Sequence, residues 1–161
     1  MSIDQPSYLV GSGGGILRDP QARLFFEHYV AETACQLGTV SQAETPFITL
    51  VLPLALSDDL IMHSLLALSG AHLSHEKTSN AQIHVTTYLH YAIVVHDLQA
   101  ALAEGNPTNL SRLLLATLML CTFEVSWRLY YPSFALYVLI SRINRPFRPS
   151  RAILMGQSFI I

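Results

Sequence analysis

The chain has few charged residues and almost no cysteine. Of its 161 residues, 12% are charged and 51% are hydrophobic. Its two cysteines, Cys35 and Cys121, are too few for a disulfide framework or a zinc cluster. Lone thiols are typical of a reducing compartment, and we expect both to be small buried hydrophobic side chains. The shortage of charge indicates either a large core or a surface that another molecule covers.

Basic residues are scarce over most of the sequence. Residues 1–124 contain four basic and eleven acidic residues, a net charge of −7. Residues 125–161 contain five basic and no acidic residues, a net charge of +5. The whole chain, at −2, does not have the basic character of a nucleic-acid-binding protein. The reversal of charge predicts a boundary near position 125.

No stretch has the pattern of a secretion signal or a membrane span. The first fifteen residues are polar and rich in glycine. The charge-free apolar runs at 113–123 and 129–140 are shorter than the roughly 20 residues that cross a bilayer. We therefore expect no membrane contact.

The stretch at 58–75 predicts a helix at the centre of the fold. Residues 60–75 include no Asp, Glu, Lys or Arg. On a helix the apolar side chains point in nearly every direction, which predicts burial on all faces. Ser57 is the predicted N-cap, with Asp58 and Asp59 at the positive end of the helix dipole. Gly70 and its small neighbours would let other helices approach closely.

Four further segments have helical signals. Asp19 and Pro20 begin a helix that ends at Gly38, and Thr45 and Pro46 begin a short apolar segment that we expect Pro53 to interrupt. A strand there is conceivable, although the sequence offers it no partner. The other two helices run from Ser79 or Asn80 to about 103, with Gly105 after the end, and from 107 to about 125. Two stripes are predicted to face the core. In the helix that begins at Asp19 the stripe is Phe26, Val30, Thr33 and Leu37. In the helix that ends at about 103 it is Tyr88, Tyr91, Val95, Leu98 and Leu102.

These signals predict an all-α fold, an irregular bundle of about five to six helices. Two of them, at 58–75 and 107–125, are central and apolar all round. We expect a disordered leader at 1–18, a helical domain at 19–125, and a divergent basic tail at 126–161. The tail would include one helix at 133–143 and then an irregular segment.

Seven histidines raise the question of a metal site. His72 and His75 could share one face of the central helix, whereas His63 lies on another side. His84, His90 and His96 are spaced by six, which scatters them round their helix. Because a zinc site needs three or four converging ligands, we expect no metal site and no cofactor.

No catalytic residues are predicted. The GSGGG run at 11–15 lacks the spacing of a phosphate-binding loop, and no GxSxG nucleophile motif occurs. The adjacent carboxylates Asp58 and Asp59 are explained by capping. The arginine-rich stretch at 142–151 could touch phosphates but has no recognition helix. We expect a protein that is not an enzyme and does not bind DNA sequence-specifically.

Several motifs occur in an order that is typical of one family. They are Phe26, Tyr29 and Thr33 in the first helix; TPF at 45–47 and LPLA at 52–55; LLALSGAHL at 65–73; Tyr88, Ala92 and Leu98; and LATLMLC at 115–121 with Glu124. Over 19–125 the chain resembles the regulatory domain of fungal-specific transcription factors of the zinc-cluster class. The resemblance implies a nuclear, all-helical domain that contacts other proteins, or itself, through its helices.

The chain departs from that family pattern in two ways. It lacks the six-cysteine zinc cluster that reads DNA, and 126–161 does not resemble the family's continuation. We therefore consider two alternatives: a small-molecule-binding helical module lined by His63, His72 and Tyr88, or a non-functional fragment of a mis-predicted gene.

Overall fold

The described part of the chain folds into helices. The computed structural model describes residues 12–38, 45–76, 80–105 and 109–130, and over these ranges it contains no β-strand. One π-helical turn joins two α-helices into a continuous rod, and a second leads directly into another α-helix, so the described residues form six rods. This confirms the predicted all-α bundle of five to six helices. The elements are α1 (Ser12–Ile16), α2 (Pro20–His28), a π turn (Tyr29–Thr33), α3 (Ala34–Leu37), a second π turn (Phe47–Val51), α4 (Leu52–Ser57), α5 (Asp59–Glu76), α6 (Ala81–Glu104) and α7 (Leu110–Tyr130).

The helix α5 is the centre of the bundle, as its sequence predicts. It packs against α2, α4, α6 and α7, and leucines on several of its faces are buried, among them Leu60, Leu65, Leu66 and Leu73. A helix that is apolar on all sides is stable in water only when other elements cover it, and here four of them do.

The N-cap of α5 is Asp58, which corrects the prediction of Ser57. Asp58 Oδ1 accepts hydrogen bonds from the backbone N–H groups of Leu60 at 2.9 Å and Ile61 at 3.3 Å. The Ser57 hydroxyl instead donates to the carbonyl of Leu54, at the end of α4. Aspartate and serine are comparable caps, and the position of α4 decides between them.

Gly70 allows three helices to meet at the middle of α5. A Cβ atom at this position would lie 2.3 Å from Thr87 Oγ1 of α6 and 2.7 Å from Phe25 Cε2 of α2. Next to it, the buried Ser69 hydroxyl donates to the Phe25 carbonyl at 2.6 Å. The absence of a side chain at Gly70 therefore sets how closely α2 and α6 approach the central helix.

The buried face of the first long rod differs from the predicted stripe. Phe25, Tyr29 and Thr33 are buried, whereas Phe26 and Val30 are only partly buried. The reason is the π turn at Tyr29–Thr33, in which the Ala34 N–H bonds the Tyr29 carbonyl five residues back. A wider turn makes residues four apart align better than the regular helical spacing predicts.

The short apolar segment is helical throughout. Thr45 begins it, because its hydroxyl accepts from the Phe47 N–H at 3.2 Å, as predicted. Pro53, however, does not interrupt the rod that runs over Phe47–Ser57: it follows directly after the π turn, at the start of α4. The strand considered as an alternative for this segment does not form. The rod is held by Tyr29, whose buried hydroxyl donates to the Phe47 carbonyl at 3.3 Å.

The helix α6 begins and ends where its sequence predicts. The Asn80 side chain accepts from the N–H groups of Gln82 and Ile83, and Gly105 ends the helix in the left-handed region with φ 64°. Its buried face, however, comprises Ile83, Thr87, His90, Tyr91 and Val94. Of the predicted stripe, Tyr88 is 42% exposed and Leu102 59% exposed. Contacts of Thr87 with Gly70 and of His90 with His63 select a face that is less apolar than the sequence favours.

The helix α7 has a buried inner face on α5. Leu113, Ala116, Met119, Phe123 and Trp127 are buried. The start of the helix is fixed by an ion pair in which Arg112 donates from Nε and Nη2 to the two carboxylate oxygens of Asp58. Near its end, the Tyr91 hydroxyl donates to Glu124 Oε1 at 2.9 Å, and the rings of Tyr91 and Phe123 stack at 4.7 Å.

The outer face of α7 is apolar and exposed over the described part of the chain. It consists of Leu110, Leu114, Leu118, Cys121 and Val125, which we call the outer stripe. Its larger members are about 60% exposed, for example Leu114 at 61% and Leu118 at 63%. The predicted burial of both cysteines is therefore wrong, because Cys121 is exposed and Cys35 is partly exposed.

By length and composition, Leu110–Arg128 is long and apolar enough to cross a membrane, and it is the one such helix in the described ranges. The apolar run at 113–123 alone is too short, but the helix continues beyond it at both ends. Its inner face packs against α5.

The helix α1 lies within the segment that the sequence predicts to be a disordered leader. Its glycines disfavour a helix, but α1 packs against α4 and α5, and this burial outweighs the poor propensity. Residues 1–11 lie outside the described residues, as do the tail from position 131 and its predicted helix at 133–143.

We expect Gly70→Ala to destabilise the fold by about 1–3 kcal/mol, because the new methyl group would overlap two buried side chains. Chemical denaturation of the purified chain measures this. The matched control is Gly15→Ala, since a Cβ at Gly15 meets nothing within 4 Å. Equal stabilities for the two variants would contradict the close approach at Gly70.

Candidate functional site

A cleft opens beside the central helix, between the α1–α2 region and α6. Its volume is about 510 Å³, and its walls include His63, Gln82, Thr86, Leu89, His90 and Ile93. Leu89 is 55% exposed and Ile93 38% exposed, so they form an apolar rim. A cleft of this volume can admit a small organic molecule, and its walls combine apolar side chains with several polar groups.

A pair of histidines is among the polar groups that line the cleft. His63 of α5 and His90 of α6 share a hydrogen bond between their Nδ1 atoms at 2.8 Å, and their ring centroids are 5.0 Å apart. One Nδ1–H donates and the other Nδ1 accepts, which requires that at least one ring is neutral. The edge of the Phe25 ring meets His90 with the centroids 6.1 Å apart.

Burial keeps both histidines uncharged near neutral pH. Burial, together with a smaller contribution from the neighbouring His63 and against the opposing effect of Asp19, lowers the pKa of His90 to about 4. Burial also lowers the pKa of His63, against the opposing charges of Asp59 and Asp97. The base of the cleft therefore presents neutral imidazoles, which can hydrogen-bond a polar but uncharged ligand.

The three residues proposed from sequence to line a ligand site do not converge. His63 lines the cleft, but His72 lies on another side of α5, where its Nδ1 is 3.0 Å from Nε2 of His28. The ring of Tyr88 lies on the exposed side of α6, 5.9 Å from Tyr91. His28 and His90 were missed because each meets its partner across a helix–helix contact, which spacing along one helix does not show.

The described residues offer no catalytic arrangement that the geometry supports. The hydroxyls of Ser64, Ser69 and Thr87 donate to backbone carbonyls within the core, so they are committed to structure. Asp58 caps α5 and binds Arg112, as a structural carboxylate does. The arginine-rich stretch at 142–151 lies outside the described residues.

Comparison with known proteins gives one match. The family described as the fungal specific transcription factor domain matches residues 23–129 of the chain. No protein with a curated description matches, and no solved structure does either. The matched range includes α5, the His63–His90 pair and most of α7.

Because the pKa values of His63 and His90 are lowered in the folded chain, we expect the domain to lose stability in acid. A histidine whose pKa is lower in the folded state than the ordinary 6.5 takes up a proton on unfolding. Stability therefore falls as the pH drops from about 6.5 towards 4. For His90 we expect a loss of about 2 kcal/mol between pH 7 and pH 5.

Thermal or urea unfolding across this pH range measures the effect. His90→Asn should flatten the dependence, whereas the control His96→Asn should keep it, because the His96 side chain is 82% exposed. An identical slope in the wild type and His90→Asn would show that His90 is not the group responsible.

Proposed function

The chain belongs to the fungal specific transcription factor domain family, and from this premise we propose that it is a regulatory domain that acts through helix–helix contacts with proteins. The family is one of transcription regulators and not of enzymes. The resemblance inferred from the ordered motifs is thus confirmed, and a nuclear location is what the family implies in general. The contacts, and the absence of DNA recognition by this chain itself, are our proposal.

The observation that supports protein contact is the outer stripe of α7. Leu110, Leu114, Leu118, Cys121 and Val125 follow one another at intervals of three or four residues, so they lie along one side of the helix. Single exposed leucines are common, but a contiguous apolar stripe of this length is typical of an interaction surface. An amphipathic helix of a partner protein, or of a second copy, would cover it.

Charge supports the second part of the proposal. Residues 1–124 have a net charge of −7, so this region repels the phosphate backbone on which non-specific DNA affinity depends. We propose that this chain makes no sequence-specific contact with DNA. A salt-sensitive shift that selects one DNA sequence over others would contradict this.

The experiment fuses the whole chain to an unrelated DNA-binding domain and measures a reporter gene in a fungal host. We expect the wild-type fusion to change transcription, in either direction. Leu114→Glu with Leu118→Glu should abolish the effect, because two charges would prevent burial of the outer stripe. The matched control is Gln99→Glu with Ala100→Glu, at exposed positions of α6. A wild-type fusion without effect, or an unchanged effect in the Leu114/Leu118 variant, would contradict the proposal.

The purified chain should also bind a hydrophobic dye or self-associate through the outer stripe. Cys121 provides a test of where copies meet, since it lies in the stripe and is exposed. A short bismaleimide should cross-link two copies of Cys35→Ser and fail with Cys121→Ser. A monodisperse monomer that does not bind the dye would contradict an accessible outer stripe.

The cleft beside His63 and His90 supports a second candidate function, the binding of a small-molecule effector. Its neutral imidazoles and the apolar rim of Leu89 and Ile93 suit an uncharged, partly aromatic compound. Screening neutral aromatic fragments by NMR should give hits that shift the ring signals of His63 and His90 but not those of His96. Ile93→Trp, which would fill the mouth of the cleft, should remove those hits. A screen without such hits would contradict this candidate.

A further inference from the structure

A second histidine cluster lies away from the cleft, where α2 meets the end of α5. His28 Nε2 is 3.0 Å from His72 Nδ1, and His72 Nε2 is 4.0 Å from Glu76 Oε1. One potential ligand atom from each of the three residues lies within 4.8 Å of the other two. Among the described residues, this is the one set of three His, Cys, Asp or Glu side chains that converges in this way.

The π turn after α2 brings both His28 and Thr33 close to His72. The Thr33 hydroxyl lies 3.2 Å from His72 Nδ1, next to His28. In a regular α-helix, residues five apart point in clearly different directions, but a π turn closes after five residues. His28 and Thr33 can therefore approach the same imidazole. π turns within helices frequently occur at functional sites.

The three side chains form a donor set that suits a transition metal. His72 and Glu76 are one turn apart on α5, so they can chelate one ion from the same helix face. His28 would add a third ligand from another helix. Two imidazoles and a carboxylate are the ligands of many zinc sites, in which a water molecule takes the fourth position. His28 and His72 are partly buried and Glu76 is exposed, so the fourth position can face solvent.

The geometry requires only a small adjustment to hold an ion. Tetrahedral zinc with Zn–N bonds of about 2.0–2.1 Å places two ligand nitrogens about 3.3 Å apart. The observed 3.0 Å between His28 and His72 is a hydrogen-bond distance, so the rings would separate by a few tenths of an ångström. The Glu76 carboxylate can rotate into place, because its side chain is 43% exposed.

We propose that His28, His72 and Glu76 form a binding site for Zn²⁺ or a similar divalent transition-metal ion. The ion would connect α2 to the C-terminal part of α5. Its binding would make the stability of the domain depend on metal concentration, since an ion that binds only the folded chain stabilises it. The proposal is independent of the protein contacts of α7 and of the small-molecule cleft.

The test uses the whole 161-residue chain after treatment with a chelator that is then removed. Titration with Co²⁺, followed by visible absorption, and competition with Zn²⁺ measure stoichiometry and affinity. We expect one ion per chain. Glu76→Gln and His28→Ala should each weaken binding by about tenfold or more. The control is His96→Ala, which removes a histidine next to Asp97, outside the cluster, and should leave binding unchanged.

A second measurement separates binding at this site from a general loss of folding. Zn²⁺ should raise the melting temperature of the wild type and of His96→Ala, but not that of Glu76→Gln. That substitution alters an exposed side chain, so the variant should fold. If the wild type binds no ion, or if all four proteins bind with equal affinity, His28 and His72 form only a hydrogen-bonded pair and the proposal is overturned.

Discussion

The close packing of helices around Gly70 is the constraint on which the rest of the structure depends. A helix as apolar as α5 must be covered on every side, and α2 and α6 can both reach its middle because Gly70 has no side chain. That approach seats Phe25 and Thr87 against the backbone of α5. It also brings His90 to His63, so the cleft and the core have the same physical origin.

Polar groups in the core follow from the same packing. Ser69 donates to the Phe25 carbonyl across the contact, and Thr87 donates to the carbonyl of Ile83 in its own helix. Buried polar groups are tolerated when each has a partner. Two of the three histidines of α5 satisfy this rule in pairs: His63 with His90 on one side, and His72 with His28 on the other. The central helix thus contributes to two polar sites. One is shared with α6 through His63 and His90, and the other is shared with α2 through His72 and His28.

Three different surfaces of the domain suit three possible functions. The outer stripe of α7 is apolar and exposed, which suits contact with a protein helix. The cleft near His63 is concave and combines neutral imidazoles with an apolar rim, which suits a small organic ligand. The cluster of His28, His72 and Glu76 combines imidazole with carboxylate, which suits a metal ion. A regulatory domain can combine such surfaces, because binding at any one of them changes the stability of helices that the others share.

The sequence by itself determined the helical class, the family, the central position of α5, and the caps at Asp19, Thr45, Asn80 and Gly105. These depend on local chemistry and on strongly apolar composition, which tertiary contacts do not reverse. Only the tertiary structure decided which faces of α2 and α6 are buried, because a π turn and the fit around Gly70 shift the stripe away from the most apolar residues. It also decided the histidine pairs. His28 and His72 are 44 positions apart and His63 and His90 are 27 apart, and separations of that size are set by helix packing.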